Sequence, residues 1–424
     1  MLRLATVVFA CTLLIPCAAA AVTHTVDVGG TGDYLTIQEG IDASSSGDTV
    51  LVFPGTYTGA NNRGLDFGGR NIVLLASGNS SDTSIDCGNA DRGFYFHSGE
   101  DTTAIVEGFT IRNGLSNSGG GIYCQSATPK FSGCVIRDCE STNLGGGATC
   151  WTGGHARFLC CDFIENESAV FGGGIYAQAC SPRWAGCIFR ENISNSQGGG
   201  GAMCYLCNGT FDDCSFYDNY VTSGRGGGIY TQESDVTVVS CLFALNEAGN
   251  GGAMALTADS DASVTYTSIV NNTSTNRGGG IFVDVSAPVI ESCTLAANES
   301  ASGASGLHFW DASPTIANCI IAFGTDGPAV TCTESRPTMP SITHCFVYGN
   351  AGGDSLCGAY HDNRFENPLL CDISARDVRL CADSPCQPSG NDWSELVGCY
   401  GQGCPPCGSP VETISWGAIK AIFR

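Results

Sequence analysis

The sequence predicts an all-β protein: a single-stranded right-handed parallel β-helix of about 12 coils, with a short N-terminal cap helix and a cysteine-rich C-terminal cap. Two repeats that run in step carry this expectation, together with the lack of helical periodicity between them. A double glycine followed by a small or apolar pair recurs about every 26 residues, from Gly120-Gly121-Ile122-Tyr123 through Gly173-Gly174-Ile175-Tyr176 to Gly279-Gly280-Ile281-Phe282. A cysteine, an apolar residue two places on and an asparagine five places on keep the same period, as in Cys161/Phe163/Asn166, Cys187/Phe189/Asn192 and Cys214/Phe216/Asn219. A fixed period of this length is the mark of one structural unit copied many times.

Within one repeat, short apolar runs alternate with Gly, Asn and Ser clusters, for example Ile229-Tyr230-Thr231, Asp235 to Val239 and Cys241 to Asn246. Three strands of three to five residues fit, each followed by a turn. No segment offers the ten or more residues of 3.6 periodicity that a helix needs. Strands of successive coils then pair at about 4.8 Å, and like residues stack in files. The first inward file reads Gly108, Cys134, Cys161, Cys187, Cys214, Cys241, Thr267, Cys293, Cys319 and Cys345. Small buried side chains explain it, with disulfides between coils or a metal site as the alternatives. A partial second column, Cys124, Cys150 and Cys204, leaves cross-links between columns open. The second file, Asn113, Asn166, Asn192, Asn219, Asn246, Asn272, Asn298 and Asn350, can chain amide to amide at a turn. Stretches such as Thr49–Val52 and Val378–Leu380 add coils, for a rod of roughly 55 to 65 Å.

The ends require covers, because an exposed terminal coil templates aggregation. Tyr34 to Ala43 places Ile37 and Ile41 one helical turn apart, as in a short amphipathic cap helix. Cys371, Cys381, Cys386, Cys399, Cys404 and Cys407 are the disulfide candidates of the C-terminal cap. Cys404-Pro405-Pro406-Cys407 and Cys204-Tyr205-Leu206-Cys207 have thiol-oxidoreductase spacing but no βαβ context, so a structural reading is preferred. The organisation is a signal peptide at 1–20, an N-terminal cap with first coils at 21–105, the repeat β-helix at 106–370, the cysteine-rich cap at 371–407 and a tail at 408–424. Arg3, the apolar run Leu4 to Pro16 and Ala18-Ala19-Ala20 make up the secretory leader. Export suits the 26 cysteines, two of which lie in the leader. Beyond the leader no stretch is apolar for long enough to span a bilayer.

Net charge is −23 with only two lysines, Lys130 and Lys420, which argues against a nucleic-acid partner. Paired carboxylates occur at Asp212-Asp213 and at Asp259 and Asp261. They are the catalytic candidates, and calcium is the one cofactor they suggest. The six histidines show no metal-ligand spacing, and no metal residues are assigned. Asn166, Asn192 and Asn298 match a glycosylation pattern, which the repeat geometry already explains.

The segment Gly32 to Ile41, followed by Gly47-Asp48-Thr49-Val50-Leu51-Val52-Phe53-Pro54-Gly55-Thr56-Tyr57, resembles the opening of pectin-lyase-like proteins of bacteria. Gly108 to Gly114 is similar to a common coil of that group, and the Gly-Gly-Ala/Ile and Phe-x-x-Asn repeats resemble chlamydial polymorphic outer-membrane proteins. The resemblance covers about residues 25–380 and implies the β-helix fold and a bacterial, extracellular or cell-surface location. It does not extend to the catalytic motifs: the Asn-Thr-Asp, Gly-His-Gly and Arg-Ile-Lys of polygalacturonases are missing, as are the signature runs of pectin methylesterases. The functional expectation is therefore a non-enzymatic exported protein that binds a glycan or cell-envelope component. The alternative is a polysaccharide lyase or glycoside hydrolase with an unrecognised site.

Overall fold

The computed structural model describes residues 20–333 and 339–407. The leader, except for Ala20, and the tail at 408–424 lie outside the described residues. From Thr23 onward the chain winds as a parallel β-solenoid whose longest sheet has 14 strands, so there are about 14 turns where the sequence suggested about 12. Its three main sheets hold 14, 12 and 10 strands. A further sheet of 8 short strands forms where three strands per coil were expected, from pieces such as Glu167–Ser168 and Ile193–Ser194. Four of the eight have only two residues, too few to leave a period-two signature in the sequence. In chain order the sheets are called first (Arg157–Leu159 and its copies), second (Asp162–Ile164), fourth (Glu167–Ser168) and third (Ile175–Gln178).

Left-handed backbone makes the corners between sheets. Ahead of the cysteine file, Gly133, Cys160, Gly186 and Asp213 all have φ between 49 and 61°. Each reverses the chain sharply enough to turn the next side chain inward. Strand pairing of Ser132 with Glu107 and Val135 with Thr110 puts Phe109, not Gly108, opposite Cys134. Gly108 is instead the left-handed corner residue, at φ 79°. Asn113 is displaced in the same way: it occupies a left-handed corner at φ 55°, and Gly114 takes the inward position of the asparagine file. At the fourth corner the double glycines are obligatory. A Cβ on Gly174 would lie 2.4 Å from the carbonyl oxygen of Gly201 on the next turn.

Aromatic stacks fill the interior. Phe163, Phe189, Phe216 and Phe243 stack face to face at 5.0, 4.5 and 4.6 Å. Cys134, Cys161, Cys187, Cys214, Cys241, Cys293, Cys319 and Cys345 are all buried and unpaired, as are Cys124, Cys150 and Cys204. Thiols of the file bond to carbonyls of their own coil, as Cys293 Sγ does to Glu291 O at 3.2 Å. Burial pushes the Cys124 thiol up to about 12, so it stays neutral and unreactive. The asparagine file is a continuous ladder. Asn192 Nδ2 and N both donate to Asn219 Oδ1, at 2.9 and 3.1 Å, and Nδ2 also donates to Phe163 O on the preceding turn. The same pattern links Asn166, Asn192, Asn219, Asn246, Asn272 and Asn298.

Helix α1 (Ile37–Ala43) closes the N-terminal end, with Ile37 and Ile41 buried in the core. Thr36 N donates to Glu39 Oε2 at 3.1 Å, one half of a capping box. The C-terminal cysteine-rich region packs on the side of the solenoid. It folds back along the outside of the second sheet, where Ala244, Val270, Ala296 and Ile320 cluster with Val378, Leu380 and Val397. Disulfides join Cys371 to Cys404, Cys381 to Cys407 and, unforeseen, Cys332 to Cys357. Cys386 and Cys399, expected to pair, are free and buried, because both pack into that lateral apolar cluster.

Candidate functional site

The outer face of the third sheet carries the most distinctive surface chemistry. In each of its four-residue strands, the first and third side chains point into the core and the second and fourth point out. The second positions include Tyr176, Met203, Tyr230, Ala255 and Phe282, which form an apolar layer outside the sheet with Leu144. Loops entering the sheet cover this layer. Leu144, Phe171, Gly198, Arg225 and Asn250 bridge one to the next along the rod and make a wall.

The fourth positions, apart from buried Thr257, stay half-exposed beside that wall. Strand register places Gln125 against Trp151 and Tyr205 between Gln178 and Gln232, so amides and aromatics alternate turn by turn. Tyr176 Oη donates to Gln178 Oε1 at 2.7 Å; the carboxamide NH2 of that glutamine is thereby directed outward as a donor. Tyr123 and Gln125 repeat the contact at 3.4 Å and Tyr230 and Gln232 at 3.5 Å. Farther along, Asp284 and Trp310 continue the file, and the Arg277 guanidinium lies 4.3 Å above the Trp310 ring.

A groove of about 670 Å³ opens on this face, lined by Arg225, Tyr230, Gln232, Asn250, Asp259 and Asp284 among others. Arg225 Nη1 pairs with Asp284 Oδ2 at 3.3 Å. Burial raises the Asp284 carboxyl above the usual carboxylate range, and the Arg225 charge opposes that shift.

The four carboxylates singled out from the sequence do not come together. Asp212 pairs with Arg183 at 2.7 Å on the first sheet, and Asp213 is the left-handed corner residue after it. Asp261 Oδ1 accepts Ala287 N at 2.7 Å and so bridges turns. Asp259 alone lines the groove. The sequence reading missed Asp284, Arg225, Tyr230 and Gln232. A legible signal was available in Ile122-Tyr123-Cys124-Gln125, Ile175-Tyr176-Ala177-Gln178 and Ile229-Tyr230-Thr231-Gln232, whose Tyr and Gln share the outward phase of a strand. Three or more metal-ligating side chains converge, among the described residues, in two overlapping groups: Cys371, Cys381 and Cys404, and Cys381, Asp383 and Cys407. Their sulfurs are committed to disulfides. No helix of the described residues is long and apolar enough to cross a membrane.

Residues 168–321 match the family model for the right handed beta helix region. The fold is a right-handed parallel β-helix. Among solved structures, the catalytic unit of a GH87 α-1,3-glucanase from Streptomyces thermodiastaticus is similar at 13% identity and a TM-score of 0.43, with 77% of this chain and 66% of that one covered. This chain therefore spans just under two thirds of that catalytic unit. A mannuronic-acid-specific family 6 polysaccharide lyase from human gut microbiota is similar at 12% identity and a TM-score of 0.42, covering 82% of each chain. The pectate lyase Pel9A follows at 12% identity and 0.39, covering 91% of this chain and 97% of that one. At such values the likeness is one of winding and assigns neither activity nor substrate. No curated protein matches the sequence.

Proposed function

We propose that this β-helix is an exported, non-enzymatic protein that binds a neutral polysaccharide along the outer face of its third sheet. The observation that carries the reading is the alternating file Gln125, Trp151, Gln178, Tyr205, Gln232. Turns stack at about 4.8 Å, so the two aromatic rings recur at about 9.6 Å, a spacing on the scale of a disaccharide. Rings present flat apolar faces to sugar C–H groups, and the intervening amides meet hydroxyls. The net charge of −23 disfavours a polyanionic chain and favours a neutral one.

A second reading, a polysaccharide hydrolase or lyase, rests on Asp284: a half-buried carboxyl with a raised pKa, in a groove it shares with Asp259 and Arg225. Affinity electrophoresis against neutral and acidic polysaccharides, with and without calcium, tests both readings. Retardation by a neutral glycan without new chain ends supports binding. New reducing ends or unsaturated products, abolished by Asp284→Asn, establish the enzyme instead. No retardation and no products overturn both.

A further inference from the structure

The first sheet of this acidic chain brings three basic side chains into one file. On the outer face of the first sheet, Lys130 lies directly against Arg157, and Arg157 against Arg183, on three successive turns. Like charges held in register repel, and the chain has 41 acidic residues to set against 18 basic ones, so counter-charges are plentiful. Yet only Arg183 takes one, pairing with Asp212 at 2.7 Å. Lys130 and Arg157 make no ion pair among the described residues.

A cavity of about 230 Å³ adjoins this file, and it is lined by Arg157, Arg183, His155 and the hydroxyl residues Thr102, Thr128 and Ser181. No carboxylate lines it. His155 is oriented by the backbone: Ser181 N donates to Nδ1 at 2.8 Å. Nδ1 therefore holds the lone pair and Nε2 the proton, which makes the ring a donor even when neutral. Guanidinium, imidazole N–H and hydroxyl groups thus line one space, and each of them can donate.

We infer that this cavity binds a tetrahedral oxyanion, sulfate or phosphate, either free or carried as an ester on a polysaccharide. Arg157, a lining guanidinium that makes no ion pair, meets the anion's charge with Arg183 beside it, and guanidinium groups bond such oxygens in pairs. The ligand also relieves the repulsion within the file. This site lies on a different sheet from the aromatic–amide file and does not depend on it.

The test uses thermal unfolding of the secreted protein in sodium sulfate against sodium chloride at matched ionic strength. Sulfate stabilises folded proteins generally, so variants supply the reference. The wild type is expected to show a saturable rise in Tm beyond that shown by Arg157→Gln. The control Arg190→Gln, at an exposed arginine beside Glu191, keeps the full response. Arg157→Gln should lower sulfate affinity about tenfold. In chloride it should unfold no earlier than the wild type, because a repulsion has been removed. Retention on a sulfated polysaccharide but not on its desulfated parent identifies the ester as the source, whereas a sulfate response without retention identifies the free ion. A sulfate response equal in wild type and Arg157→Gln, or no saturable response at all, overturns the site.

Discussion

Cys399 N donates to Thr294 Oγ1 at 3.1 Å across 105 residues of chain. This bond and its neighbour, Gly398 N to Asn318 O at 2.8 Å, moor the cap to the side of the solenoid. Thr294→Val keeps the shape but leaves a buried N–H without an acceptor, at a cost of about 1–2 kcal/mol. The loss should be local: faster protease cleavage within 371–407, with the unfolding of the repeats little changed. Unaltered cleavage would show that apolar contact with Ala296 and Ile320 suffices to hold the cap.

The asparagine ladder should be more sensitive than any single apolar contact. Asn219→Ala deprives Asn192 of the acceptor for both Nδ2 and N. Two buried donors left unsatisfied cost about 2–5 kcal/mol together. Urea denaturation should report a lower midpoint and an unfolding free energy smaller by about that amount, and hydrogen exchange should locate the loss on the turns around 192 and 219.

His308 makes stability depend on pH. Burial, aided by the Arg277 charge, lowers its pKa from the ordinary 6.5 to about 4. The unfolded chain therefore takes up the proton first as pH falls from about 6.5 towards 4, and stability is lost through that window. Below it both states are protonated and the loss levels off. The contribution is on the order of 3 kcal/mol. Urea midpoints at pH 7 and pH 4.5 should differ more for the wild type than for His308→Gln.

Ligand binding should divide between rings that face out of the third sheet and rings buried in the core. Trp151→Ala and Tyr205→Ala, both at half-exposed outward positions, should each weaken retention of a neutral glycan about tenfold or more with little change in Tm. Phe189→Ala, inside the stack, should instead destabilise by about 3–5 kcal/mol. Equal glycan retention by all three variants would place the binding face elsewhere.

The repeat was legible because stacking writes itself into sequence: each file demands the same residue once per turn, and Asn192, Asn219 and Asn246 obey that demand. What spacing alone left ambiguous was phase. Gly108 and Phe109 are neighbours in sequence, and only the backbone decides which one turns the corner and which one faces the core. The same holds at Asn113 and Gly114. Cysteines were harder still, since Cys399 and Cys404 look alike in a list of spacings, yet one packs against Thr294 and the other reaches Cys371.

Periodic positions thus specified the β-helix, its buried files and its glycine corners, because identical environments recur at a fixed interval along the chain. The groove, the mooring of the cap and the basic cavity were decided by tertiary structure alone. Each gathers side chains from several turns, and which outward residues meet depends on how loops and corners lean across a face, a geometry that no period encodes.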